Sequence, residues 1–199
     1  MPTNKSPDPS NDLLRLFSLA EENRREFDIS AWNPRETLDI DLRIAADGSW
    51  YHQNAPINRP RMVKFFASLL RRENVHEKNH ENKKSREKYA LITPHLKYPV
   101  KVEEAPFLAV ELRRRGAGKN QELFFRTNVD DVARADADHP ISAANFSGVP
   151  EIEIRAGLRA KLSRAVWLEL AELLIPSEKD AGILGVHSAG SFFAVGGPE

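Results

Sequence analysis

From residue 38 the chain reads LDIDLRI, in which Leu38, Ile40, Leu42 and Ile44 alternate strictly with Asp39, Asp41 and Arg43. A period of two puts the apolar set on one face of an extended strand and the charged set on the other. Such a strand must be covered on its apolar side, and Asp47-Gly48 just beyond it supplies a turn in which positive φ is tolerated. Ser49 to His52 is therefore expected to return as a hairpin partner. The covering element follows at once in INRPRMVKFFASLLRR, where Met62, Phe65, Phe66, Leu69 and Leu70 form a helical apolar stripe. Pro60 suits the first turn of that helix, and Arg71 and Arg72 suit its C-terminal end.

The same order recurs downstream. EIEIRAGLRAKL, residues 151–162, reads as a second tight hairpin. SRAVWLELAELLI reads as a second amphipathic helix, capped by Ser163 and ended by Pro176. Each helix is preceded by an apolar-x-Arg step, Ile57-Asn58-Arg59 and Leu162-Ser163-Arg164, and each is followed by a short apolar strand, YALIT or FFAV. The expected fold class is thus α+β, with two structurally similar halves, each a β-hairpin or small antiparallel sheet with one amphipathic helix. An N-terminal helix from Asn11 to about Phe27 packs on the first half, marked by Leu13, Leu16, Phe17 and Ala20. Residues 1–10 read as a disordered lead-in, 11–96 as the N-terminal half and 97–199 as the C-terminal half, with a boundary near 94–99. Pro99 marks the 98–102 segment as a sheet edge. PFLAVELRRR and ELFFRT flank the hairpin turn GAGKN, and residues 128–148 read as a polar, turn-rich loop.

Composition excludes several chemistries. With 29 basic and 29 acidic residues there is no global field to attract nucleic acid or an anionic membrane. There are no cysteines, which removes thiolate metal sites, disulfides and a cysteine nucleophile. The first residues lack an apolar h-region and no apolar run approaches the roughly 20 residues of a membrane span, so a cytoplasmic protein with no membrane partner is expected. No cofactor is expected.

These segments resemble a bacterial family. WNPRETLDIDLRIAADGSWYHQNAPINRPRMVKFFASLLRRE, YALITP, KVEEAPFLAVEL, TNV and DHPI are similar to domain of unknown function 1285, as are LRAKLSRAVWLELAEL and GVHSAGSFFAVG. The resemblance spans residues 32–197, and DGSWYHQNAPINRP is its most specific stretch. It implies an α+β fold of two similar halves, no established reaction, and a suggested role in signal transduction. The charged stretch from Glu73 to Lys88 is longer than that pattern implies.

Candidate motifs fall away when their chemistry is checked. His76-Glu77-Lys78-Asn79-His80 matches the zinc-protease string, but it sits in the charged insert without an apolar face to anchor a helix, so it reads as an accidental match and no metal is assigned. Gly185-Val186-His187-Ser188-Ala189-Gly190 fails the nucleophile-elbow register, because Val186 stands where glycine is required. Gly116-Ala117-Gly118-Lys119 lies between strands, where a phosphate loop must open a helix. Asp130, Asp131, Asp136 and Asp138 read as turn formers. No catalytic residue is assigned. The residues singled out for ligand binding are Trp50, Tyr51 and His52 on the first hairpin, with Arg59 and Arg164 at the two helix starts. A guanidinium there either ties hairpin to helix or receives an anion.

The leading expectation is a non-enzymatic module that binds a small molecule or protein where the halves meet, near the aromatic hairpin. One alternative is an enzyme using the His and Asp residues of DADHP with Glu103 and Glu104. Another is weak nucleic-acid binding through Lys83, Lys84, Arg86 and Lys88, disfavoured by the interleaved glutamates and the absence of a stacking aromatic.

Between Val75 and Tyr89 no large apolar residue occurs, so the insert 73–88 lacks what would offset its ordering entropy and is expected to be mobile. Limited trypsin digestion should cut between Lys78 and Lys88 well before any site in 113–115; protection of the insert would overturn this.

Overall fold

A computed structural model describes residues 9–23, 27–73, 88–143, 148–180 and 182–197. It is mixed α+β, with three α-helices among the described residues. The chain divides into two compact units, Met1–Ala45 with Ser49–Glu103, and Ala46–Gly48 with Glu104–Glu199. The metalloprotease-like string, most of the charged insert (74–87) and residues 1–8 lie outside the described residues.

In the first unit, helix α1 (Pro9–Asn23) begins before Asn11 and stops short of Phe27. Leu13 and Leu16 are buried, and the Phe17 ring lies 5.5 Å from Phe65. Strands β1 (Glu36–Thr37), β2 (Leu42–Ile44), β3 (Trp50–His52) and β4 (Ala55–Pro56) lead into α2 (Pro60–Leu69), followed by β5 (Leu70–Glu73), β6 (Lys88–Ile92) and β7 (Leu96–Val102). They form a sheet ordered β4-β3-β2-β7-β6-β5, with β1 also on β7.

Three expectations are corrected here. The alternating run is not one strand: the Asp41 N–H donates to Asp39 Oδ1 at 2.8 Å and Asp41 adopts φ 55, so β1 and β2 are separated by a turn. The helix ends at Leu69. Leu69 and Leu70 are both buried, and the chain passes directly into β5, where Arg71 and Arg72 pair with Ala90 and Tyr89. The segment carrying Pro99 is central and not an edge. Lys97 O accepts from Leu38 N and Glu103 N donates to Ile44 O, so alternate residues of β7, Pro99 among them, turn their backbone toward β1 and β2. The β1 ladder ends at Thr37↔Lys97 and the β2 ladder starts at Leu42↔Val100. Pro99, which has no N–H to donate, falls at the handover where none is needed. For the same reason the unit boundary falls at 103/104, because 94–99 runs into the middle of a sheet.

In the second unit, β8 (Phe107–Arg115), β9 (Glu122–Thr127), β10 (Val132–Arg134), β11 (Ile141–Ser142), β12 (Glu151–Arg155) and β13 (Leu158–Leu162) form a sheet ordered β10-β9-β8-β13-β12-β11. The segment read as a polar loop thus supplies two short strands, β10 and β11. Helix α3 (Arg164–Ala171) is capped as expected, with Ser163 Oγ accepting from Val166 N at 3.3 Å. It ends at Ala171 and not at Pro176, since Ile175 and Pro176 form β14, the first strand of a three-stranded sheet with β15 (Leu184–Ser188) and β16 (Ser191–Gly196).

Both units therefore run hairpin, helix, three-stranded antiparallel meander: β2-β3, α2, β5-β6-β7 and β12-β13, α3, β14-β15-β16. They differ in closure. In the first unit the meander joins the hairpin sheet through β7; in the second it stays a separate sheet, with β16 running beside β11.

Ser188 ties the two sheets of the second unit together. Its side chain is fully buried, its hydroxyl donates to Ala135 O at 2.7 Å, and it accepts from Leu123 N at 3.0 Å. Replacing Ser188 with Ala should cost about 1–3 kcal/mol for each backbone group left unpaired. Chemical denaturation would measure it, and an unchanged midpoint would show that the hydroxyl is not what satisfies them.

Candidate functional site

The first hairpin sets the candidate site. Ala45 N donates to Ser49 O at 2.9 Å and Gly48 takes φ 80, which fixes Ile44 opposite Trp50 and Arg43 opposite Tyr51. Trp50 therefore shares the face of Ile44. It is 2% exposed with its ring 6.2 Å from Phe66, so it is a core residue, and its indole Nε1 is buried without a hydrogen-bond partner among the described residues.

Tyr51 points to the other face, where the Arg43 guanidinium lies 4.1 Å from its ring centroid. Arg43 Nη1 donates to Glu103 Oε1 at 2.6 Å, and Lys101 Nζ donates to Asp41 Oδ1 at 3.0 Å. The Asp41 carboxylate holds the Lys101 ammonium above its usual range. His52 is half-buried, paired with Leu42 on one side and Ala55 on the other. A two-residue turn with Gln53 and Asn54 at φ 50 and 63 returns the chain as β4. Ile57 N then donates to Trp50 O at 2.8 Å, which ties the approach to α2 against β3.

Arg59 follows, exposed, at the cap of α2. Its carbonyl accepts from Met62 N and Val63 N, but its side chain makes no capping bond, and the first turn contains no acidic residue. Tyr51 and His52 are thus neighbours on β3 with side chains on opposite faces of the sheet, and Arg59 follows β4 at the start of α2. Arg164 belongs to the second unit, exposed at the first residue of α3. The two arginines do not match in register: Arg59 is a cap, whereas Ser163 is the cap of α3. Ile57 is half-buried and Leu162 buried. Among the described residues neither guanidinium forms a hydrogen bond or ion pair, so no bracing of hairpin to helix is seen.

The residues of the enzyme alternative each have a local structural partner. Glu103 binds Arg43, and Glu104 binds Lys161. Asp136 organises the DADHP loop: its Oδ1 accepts from Asp138 N and His139 N at 3.0 Å and meets His139 Nδ1 at 3.1 Å, while its Oδ2 accepts from Arg134 at 3.2 Å. Burial raises the Asp136 carboxyl, but the His139 ring, Arg134 and the two backbone N–H groups outweigh it and hold it below the ordinary 3.8. Asp130 pairs with Arg126 and Asp131 with Arg155. Among the described residues no three His, Asp or Glu side chains are placed to hold a metal. Gly116 and Gly118, at φ 77 and 61, lie in the β8–β9 turn as expected.

Sequence reading missed Arg43 and Glu103 as the setting of Tyr51. The signal lay in the alternation, which puts Arg43 on the charged face and, once the turn is counted, across from Tyr51.

With this geometry in hand, comparison places the chain. The N-terminal domain of unknown function DUF1285 matches residues 28–105, and the C-terminal domain of the DUF1285 proteins of unknown function matches 106–195. The chain belongs to the DUF1285 family. A crystal structure of a DUF1285 protein from Silicibacter pomeroyi DSS-3 is 35% identical over 93% of this chain and 94% of that one, with a TM-score of 0.77. A DUF1285 protein from Shewanella baltica OS155 is 24% identical over 66% of this chain and 90% of that one, with a TM-score of 0.50, and shares the fold. No curated protein matches the chain. The DUF1285 domain boundary at 105/106 lies beside the division of the two units. No helix among the described residues is long and apolar enough to cross a membrane.

The depressed Asp136 carboxyl carries a pH signature. A lowered folded-state pKa contributes stability that is full above the unfolded value and is lost as pH falls through the folded one. Asp136→Asn should therefore destabilise the DUF1285 fold most near neutral pH, by about 1–3 kcal/mol, and the gap to wild type should close below about pH 4. Urea melts across pH would measure it; a gap that persists at acid pH would rule out the charge as its source.

Proposed function

We propose that this DUF1285 protein is a non-enzymatic binding module of the cytoplasm. It receives an anionic group of a small molecule or partner protein at Arg59, where the first hairpin, with His52, exits into α2. Binding without turnover is what the input component of a signalling system requires, and that is the role assigned to it here.

The observation that carries the reading is the state of the reactive side chains. Ser188, Asp136 with His139, Glu103 and Glu104 are each held by a structural partner. Arg59 is the contrasting case: a cation at the positive end of a helix dipole, exposed, and uncompensated by an acidic first turn. An anion placed there would relieve that repulsion.

Native mass spectrometry of the protein purified without denaturation tests this. A small anionic molecule or partner should co-purify and be lost in Arg59→Ala, while stability stays within about 0.5 kcal/mol of wild type, as for an exposed surface change. Retention of the bound species in that variant would sink the assignment of the site. Turnover of a co-purified molecule would sink the non-enzymatic reading.

A further inference from the structure

Helix α3 carries charge of the wrong sign at both ends. Arg164 is its first residue and Glu172 its C-cap, whereas a helix macrodipole favours an anion at the start and a cation at the end. Neither finds relief within the helix. The position four residues from each is Leu168, and the positions three residues away are Trp167 and Glu169. Among the described residues neither forms an ion pair.

Leu168 itself is 57% exposed, the most exposed large apolar side chain on any described helix. Val166 and Leu170 are fully buried and define the core face. At about 100° per residue, Leu168 lies about 180° from their midpoint, at the solvent pole of the helix, with Arg164 and Glu172 about 40° to either side. Arg164, Leu168 and Glu172 thus form one outward stripe, cation, leucine, anion, with Ala165 beside it small enough to permit close approach.

That stripe is its own complement. We infer that two copies of this chain pair through α3, antiparallel, about a two-fold axis at Leu168. In that arrangement the leucine meets its twin. Arg164 of each copy faces Glu172 of the other, and each helix receives the charge its dipole favours at each end. Ile175, just past the helix and 43% exposed, extends the apolar area. An eight-residue helix presents a small face, so the association is weak and concentration-dependent.

Analytical ultracentrifugation of the full chain from about 10 μM to about 1 mM tests the pairing. The weight-average mass should rise from 22.5 kDa toward twice that value. Leu168→Lys should hold the protein monomeric with its thermal melt unchanged. Arg164→Glu and Glu172→Arg should each weaken association at least about tenfold, and combining them should restore it, because the swapped charges face each other again. A mass that stays monomeric throughout, an association indifferent to these changes, failure of the double variant to recover, or a monomer that binds an unrelated protein through Leu168 would each overturn the inference.

Discussion

Each unit is closed by parallel pairing between strands far apart in the chain, β7 with both β1 and β2 in the first and β13 with β8 in the second. Leu42 lies opposite Val100 in the first and Ala160 opposite Phe107 in the second. Parallel neighbours cannot be joined by a tight turn, so the intervening chain must already be folded back before these ladders form. That constraint explains the local economy of the rest. The hairpins β3–β4, β12–β13 and β15–β16 use two-residue turns with both residues at positive φ: Gln53-Asn54, Ala156-Gly157 and Ala189-Gly190. Local order of this kind fixes register early and leaves only the long-range closure to be paid for in loop entropy.

The closures also dictate where polar groups are buried. β7 carries a proline in the middle of a sheet, tolerated because its partner changes from β1 to β2 beside Pro99. In the second unit the separate three-stranded sheet needs a tie to the larger one, and Ser188 and Gln121 provide it. Gln121 Nε2 donates to His187 O at 2.8 Å and its carbonyl accepts from Ala189 N. Gly185 serves the same packing. A Cβ there would lie 2.3 Å from Phe193 O and 2.5 Å from the Phe192 ring, so the neighbouring strand closes down on a residue without a side chain. A serine in a glycine-flanked string is thus a sheet fastener.

Much of this was legible in the residues. Period-two and period-3.6 patterns located β2, β8, β9, β12 and β13, and the helices α2 and α3, because those segments bury one face against a local partner. What escaped were features decided at a distance. Nothing near residue 98 announces that β7 acquires partners on both sides, and nothing between 132 and 142 announces that three apolar residues suffice for β10 and β11 once a sheet edge is waiting. The 38–44 run misled because Asp39 captures a backbone N–H that a strand would have used. At the candidate site, Arg59 was singled out by its place before the helix and is exposed, while Tyr51 is half-buried against Arg43. Trp50 lies in the core, where the turn length already placed it across from Ile44.

The zero net charge hides how the charges are arranged. On the outer face of β8, β9 and β10 they alternate across strands, Arg113–Glu111–Arg126–Asp130 in one chain and Arg115–Glu122–Arg134–Asp136 in another. The Arg126 and Arg113 guanidiniums hold Glu111 below its ordinary range. Exposed pairs of this sort add little stability singly, but they keep a broad sheet face soluble and discourage strand-to-strand aggregation. Against such thorough local pairing, a charge that opposes its own helix dipole stands out. Arg59, Arg164 and Glu172 are placed where folding alone would select the opposite sign or none. These three oppose their own helix dipoles and gain no pairing in return among the described residues, and local rules broken without a local return are where function is to be sought.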